Sequence, residues 1–205
     1  MKAAALAALL ALGGCAGSLL QSKVVPPTIY LLSPELAQPS AAGVERTIPV
    51  DLAVLKPRVR AGLETERIAV LYPDRRLDYF AGARWSGPLA EVLQDATVQA
   101  LHARAHLRGV SGDASVFASA YWLELEVTDF QAEYWSPDQA PTVHVHLRGR
   151  LGTSADRGIL GRFEVEARER AGANRLTDIV AAYARASGTA LAEVAAQAER
   201  TLTPP

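Results

Sequence analysis

Three successive segments in the second half of the chain alternate apolar and polar residues at a period of two. In Ala118–Phe130, Leu123, Leu125 and Val127 fall on one face, with Glu124, Glu126 and Thr128 on the other. In Thr142–Leu151, Val143, Val145, Leu147 and Leu151 oppose His144, His146, Arg148 and Arg150. In Ile159–Ala167, Phe163, Val165 and Ala167 oppose Arg162, Glu164 and Glu166. Such alternation marks strands with one buried and one wetted face. The links Ser136-Pro137-Asp138 and Thr153 to Gly158 are turn chemistry. An antiparallel meander is expected, and its apolar face needs a cover.

Two helical stripes supply the cover. The first helix starts at Ser86-Gly87-Pro88, where Ser86 or Gly87 can cap and a proline is tolerated in the first turn. Leu89, Val92, Leu93, Ala96, Ala100 and Ala103 share one face, and Glu91, Asp95, Gln99, His102 and His106 the other. Gly109 lies beyond its end. The second runs from about Asn174 to Arg200, with Leu176, Ile179, Val180, Tyr183, Ala190, Leu191, Val194 and Ala198 as its stripe. Gly188 inside it costs about 1 kcal/mol relative to alanine. Upstream, strands are expected at Thr28–Leu32, at Thr47–Val54 (ended near Lys56-Pro57) and at Arg67–Tyr72. A return strand follows from Leu77 after the turn Pro73–Arg76. The order predicts an α+β two-layer sandwich, a mixed or antiparallel sheet with both helices on one face. A chain of 205 residues, 49% hydrophobic, is the size of one domain, here 28–205. Leu93, Leu125, Val145, Val165 and Val180 are expected in one core.

The amino end is read apart from the fold. Met1-Lys2 is a positive start, Ala3–Leu12 an apolar run, and Leu12-Gly13-Gly14-Cys15 resembles a lipobox. The run is shorter than the roughly 20 residues a spanning helix needs. Residues 1–14 are thus expected to be a lipoprotein signal peptide cut before Cys15. The thiol would then take a diacylglycerol thioether and the freed amine a third acyl chain. Several chains anchor stably, at about 0.8 kcal/mol per buried methylene. Cys15 is the sole cysteine, so the core must hold the fold without a disulfide. Residues 15–27 read as a lipidated tether spanning roughly 40 Å. Ala16, in place of a retention-signal aspartate, favours the inner leaflet of the outer membrane, with the domain in the periplasm.

Charge and motifs narrow the chemistry. Twenty-one basic and 22 acidic residues give a net charge of −1, which offers no electrostatic case for nucleic acid. His144 and His146 lie on one side of a strand, but a metal site needs three or four ligands. Glu124 and Glu126 could approach them across the hairpin. The plainer reading is a cross-strand charge face shared with Arg148 and Arg150. His102 and His106 stand at i and i+4 without the glutamate of the hydrolytic motif. The sequence holds no Gly-x-Ser-x-Gly elbow, phosphate loop or dinucleotide fingerprint. An enzyme is not expected, nor a cofactor. Aromatic pairs at Tyr79-Phe80, Tyr121-Trp122 and Tyr134-Trp135 serve either packing or an interface. Trp85 is expected to clasp inward. Tyr134, Trp135, His144, His146, Arg148 and Arg150 are the candidate partner or subunit interface.

Several of these segments together resemble the ABC-type transport auxiliary lipoproteins of the PqiC-like kind. They are the lipobox at Cys15, Tyr30-Leu31-Leu32-Ser33, Arg67-Ile68-Ala69-Val70, Leu77-Asp78-Tyr79-Phe80, Arg84-Trp85-Ser86-Gly87-Pro88-Leu89, and the alanine-rich last helix. The resemblance implies a periplasmic domain like the amino-terminal domain of TolB, with Tyr79, Arg84 and Trp85 as structural motif residues. It implies work with an MCE-domain membrane protein, sometimes with an ABC permease and ATPase, moving lipid between two membranes, and assembly into a homo-oligomeric ring under the outer membrane. One rival reading is an assembly or plug lipoprotein as in lipopolysaccharide export, which the lack of a basic patch disfavours. Another is a periplasmic hydrolase or metal-binding protein using His144 and His146.

The anchor makes a direct prediction. Cys15→Ser should leave an unprocessed precursor without acyl chains, seen as a mass shift of the whole protein. Wild-type protein with an unmodified Cys15 thiol would refute lipidation.

Overall fold

A computed structural model describes residues 26–36, 48–113, 118–136 and 138–203. Cys15 and the lipobox lie outside the described residues. The meander is present as β7 (Tyr121–Glu133), β8 (Thr142–Thr153) and β9 (Ile159–Arg170), paired antiparallel in that order.

The rest of the sheet is mounted on β7. One edge of β7 pairs with β8 along its length. The other edge takes three strands in succession, each parallel to it: β2 (Ile48–Val54), β3 (Arg58–Val59) and β4 (Arg67–Leu71). β4 continues antiparallel to β5 (Leu77–Trp85), and β5 continues parallel to β1 (Thr28–Tyr30). β2 carries β6 (Leu107–Ser111) on its far side. The described residues thus make a nine-stranded mixed sheet. β3 and β6 were not expected from the sequence. β3 is two residues long, and β6 buries only Val110, so neither carries a periodic signal of its own.

Both helices cover the same face. α1 (Leu89–Arg104) buries Leu89, Leu93, Ala96 and Ala100, as its stripe requires, and also Ala90, Thr97 and Leu101, because it packs on a second helix. Pro88, rather than Ser86 or Gly87, sits at the cap and makes no side-chain bond. The loop before β4 takes over that duty, since the Leu89 N–H donates to the Thr65 carbonyl at 3.1 Å. α2 (Leu176–Leu202) lies on β8, β9 and α1. Gly188, costly in a helix, has its reason in a close approach. Residues 32–36 cross α2 there, the Glu35 N–H donates to the Ala184 carbonyl at 3.0 Å, and a Cβ on Gly188 would strike the Glu35 backbone. None of the described helices is long and apolar enough to cross a membrane.

One hydrophobic cluster holds Leu93, Leu125, Val145 and Val165, with Val180 at its margin. Trp85 fills its centre. Its ring meets Tyr183 edge-on at 5.2 Å and 81°, and Phe130 at 6.2 Å and 67°. The Tyr183 hydroxyl donates to the Ala69 carbonyl of β4 at 2.8 Å, so this buried phenol is satisfied. Its burial also raises the Tyr183 pKa.

β7 contains one irregularity. The pairing with β8 passes from Val127↔Leu147 to Asp129↔His146, leaving Thr128 as an extra residue. Before this bulge the odd residues of β7 face the helices. After it the even ones do, which sends Phe130 and Ala132 into the core and Asp129, Gln131 and Glu133 to the far side.

Trp85→Ala should lower the unfolding free energy by about 3–5 kcal/mol, measured by chemical denaturation. A loss below about 1 kcal/mol would show that the aromatic trio does not hold the core.

Candidate functional site

The outer face of the β7–β9 meander is polar because alternation leaves it so, and the strand register decides who meets whom. At one end Glu124 lies opposite Arg150. It contacts that guanidinium and also Arg58 of β3, at 3.2 Å. Arg148 lies opposite Glu126 and Glu164 on its two neighbours and approaches Glu164 at 3.4 Å. Both arginines therefore have carboxylate partners within the subunit.

The other end is built by the bulge. Asp129, Gln131 and Glu133 come to lie beside His146 and His144. Glu124 and Glu126, expected to approach the histidines, instead face the arginines, because the register places them there. The two imidazoles stack at 6.1 Å and 7°. His144 Nδ1 lies 3.0 Å from Glu133 and its Nε2 3.0 Å from Glu166. His146 Nδ1 lies 3.4 Å from Asp129, and its Nε2 touches Glu164. The Gln131 amide donates to Asp129 at 2.9 Å and to Glu133 at 3.0 Å. Arg168 bonds Glu133 at 3.0 Å and Glu166 at 2.8 Å, with its guanidinium 3.2 Å from both ring nitrogens of His144. Arg60 reaches Asp129 at 3.4 Å.

These contacts set the ionisation of the acids. Burial by itself raises the Glu133 carboxyl, but bonds from His144 and Gln131, with the charges of His144 and Arg168, outweigh it and hold the group at about 2. The bond from His146, then that from Arg148, lowers Glu164. The bond from Arg168 lowers Glu166.

The structure splits the expected interface set. His144 is buried under Glu133 and Arg168, and Tyr134 is buried too, stacked on Tyr72 at 5.7 Å with its hydroxyl donating to Asn174 at 2.6 Å. Both side chains are buried and form part of the wall of a groove that Trp135 borders. Trp135, next in sequence, is 74% exposed. Arg148 is exposed, while Arg150 and His146 are half-buried. Trp85 is buried, as described. Tyr79 ties down the loop before β4, its hydroxyl donating to the Gly62 carbonyl at 2.7 Å and its ring lying under Arg67. Arg84 pairs with Glu66 at 2.8 Å. His102 is exposed, whereas His106 pairs with Glu199 of α2 at 2.9 Å, so the i, i+4 pair does not converge.

Asp129, Gln131, Glu133 and Arg168 escaped the sequence reading, and Glu166 was placed on the polar face without being linked to the histidines. A signal existed. The pair Thr128-Asp129 breaks the alternation, and Phe130 and Ala132 resume it in the opposite phase.

A two-layer α+β domain, with two helices on one face of a mixed sheet and an ion-paired opposite face, defines the class. The model of the ABC-type transport auxiliary lipoprotein component matches residues 30–197, and the chain belongs to that family. It is an auxiliary component of ABC-type transport. Solved structures agree on the fold. A DUF330 family protein from Xanthomonas campestris superposes with a TM-score of 0.72 at 22% identity, covering 85% of this chain and 96% of its own. An uncharacterized protein gives 0.64 at 15% identity, covering 87% and 100%. The hypothetical protein CT253 from Chlamydia trachomatis gives 0.52 at 11%, covering 75% and 98%. No curated protein matches the chain.

The low Glu133 value predicts an acid-sensitive fold. A carboxyl depressed in the folded state stabilises above its unfolded value of 4.5 and loses that contribution as pH falls toward about 2. The contribution is at most about 3 kcal/mol. Melting temperature between pH 5 and pH 2.5 should fall more steeply in wild type than in Glu133→Gln. Parallel curves would show that Glu133 is not depressed.

Proposed function

We propose that this protein is a non-enzymatic lipoprotein subunit of an MCE-type lipid transport system linking the inner and outer membranes. Cys15 would fix it to the inner leaflet of the outer membrane, and residues 28–205 would hang below as one periplasmic domain. The observation that carries the reading is the family match across residues 30–197, in a chain whose Cys15 ends a segment that resembles a lipobox. The outer sheet face supports a scaffold role. Its acids, guanidiniums and imidazoles are largely bonded to one another, and the same groups line the open grooves of that face.

Contact with a partner would centre on Trp135. It borders a groove of ≈ 430 Å³ whose walls include Tyr72, Leu77, Arg60 and Arg168. Leu77 is itself exposed. Aromatic side chains with arginine are what interfaces favour. Arg148 and Arg150 extend the surface along β8. The partners we propose are an MCE-domain membrane protein, an associated ABC permease and ATPase, and further copies of this chain in a ring closed by head-to-tail contacts.

The test is a pull-down of the full-length lipoprotein from detergent-solubilised membranes, with a photocrosslinker at position 135. An MCE-domain protein or a second copy should crosslink. Trp135→Ala should melt nearly as wild type while binding falls about 30-fold or more, as for a hot-spot tryptophan. Recovery of a lipopolysaccharide-export protein instead would overturn the reading.

A further inference from the structure

We propose that Asp129, His144 and His146 form a binding site for a divalent transition cation of the Zn²⁺ class. The site lies on the outer face of the meander, and the proposal does not depend on the transport reading above.

The first observation is geometric. One donor atom from each of the three residues lies within 4.8 Å of the other two. Donors around a tetrahedral zinc at 2.0–2.1 Å are about 3.4 Å apart. Side-chain rotation closes that difference, because the backbone already presents all three side chains on one face. The bulge at Thr128 makes this so, since it turns Asp129 outward beside His146.

The second observation is a count of protons. Both nitrogens of each ring face a carboxylate oxygen: Glu133 and Glu166 on His144, Asp129 and Glu164 on His146. A neutral imidazole has one N–H. On His144 the Arg168 guanidinium, 3.2 Å from both nitrogens, can meet the lone pair, whereas on His146 one lone pair points at a carboxylate unless a cation lies between them. The slackest of the four contacts is His146 Nδ1 to Asp129 at 3.4 Å, which is where the three donors converge.

The third observation is the outer shell. Glu164 on His146 Nε2 leaves Nδ1 as the ligating atom. A carboxylate on His144 does the same for that ring, and Gln131 orients Asp129. Metal-binding histidines characteristically carry such a carboxylate on the other nitrogen. Two imidazoles and a carboxylate suit Zn²⁺ rather than Mg²⁺ or Ca²⁺. Arg168, Arg60 and Arg148 bring positive charge close, which moderates the affinity. The four carboxylates outnumber them. With three protein ligands, the fourth position is open to water or to a partner's side chain.

The experiment uses the full-length protein without a histidine tag, in non-ionic detergent at pH 7.4. Zn²⁺ is titrated calorimetrically and in competition with a chromophoric chelator. One Zn²⁺ per chain should bind and raise the melting temperature. Affinity should fall about tenfold or more in His146→Asn and in Asp129→Asn. Both positions are only half-buried, so metal-free melting should show that each variant folds. Mg²⁺ should not compete. Three results would overturn the site: no Zn²⁺ binding up to 1 mM (a ceiling of about −4 kcal/mol), binding of several ions per chain, or affinity unchanged in both folded variants.

Discussion

The structure hangs on one strand and on one extra residue within it. β7 carries β8 on one edge and β2, β3 and β4 on the other, so its register fixes every neighbour. Because side chains alternate, a one-residue slip exchanges the faces. The bulge at Thr128 makes that exchange deliberately, halfway along. It lets Leu123, Leu125 and Val127 face the helices from the first half, and Phe130 and Ala132 from the second. Phe130 is thereby delivered to Trp85 and Tyr183, and Asp129 and Glu133 to the histidines. Core and polar face are thus two consequences of the same backbone irregularity.

The parts of the fold legible in the sequence were those whose signal is local and repeated. The meander and both helices announce themselves by period, because each turn or pleat repeats the same burial. β3 and β6 do not, because they exist through backbone bonds to distant strands and bury almost nothing themselves. Pro88 at the cap of α1 is likewise explained by a remote carbonyl, that of Thr65. At the polar face, the sequence placed His144 and His146 side by side but assigned them Glu124 and Glu126. Only the pairing register reveals that those acids belong to the arginines. Tyr134 and Trp135 show the limit most sharply, since two adjacent aromatics end up on opposite sides of the surface.

The polar face pairs many of its own charges. An isolated surface ion pair contributes little, about 0–1 kcal/mol. A shared network differs because each group has several partners, and the depressed Glu133 records that. Trp135 stands outside that network and is the most exposed large hydrophobic side chain among the described residues.

The entry of the chain into the fold has a mechanical meaning. β1 lies at the rim of the sheet, parallel to β5, with Tyr30 opposite Trp85. Just beyond it, residues 32–36 lie in the notch left by Gly188 and are pinned at Ala184. A pull directed along β1 shears its bonds to β5 together instead of peeling them one after another. If those bonds yield, the second latch on α2 takes the strain before the core does. If the domain is suspended by its amino end, as proposed, these two contacts lie in series between the anchor and the rest of the chain.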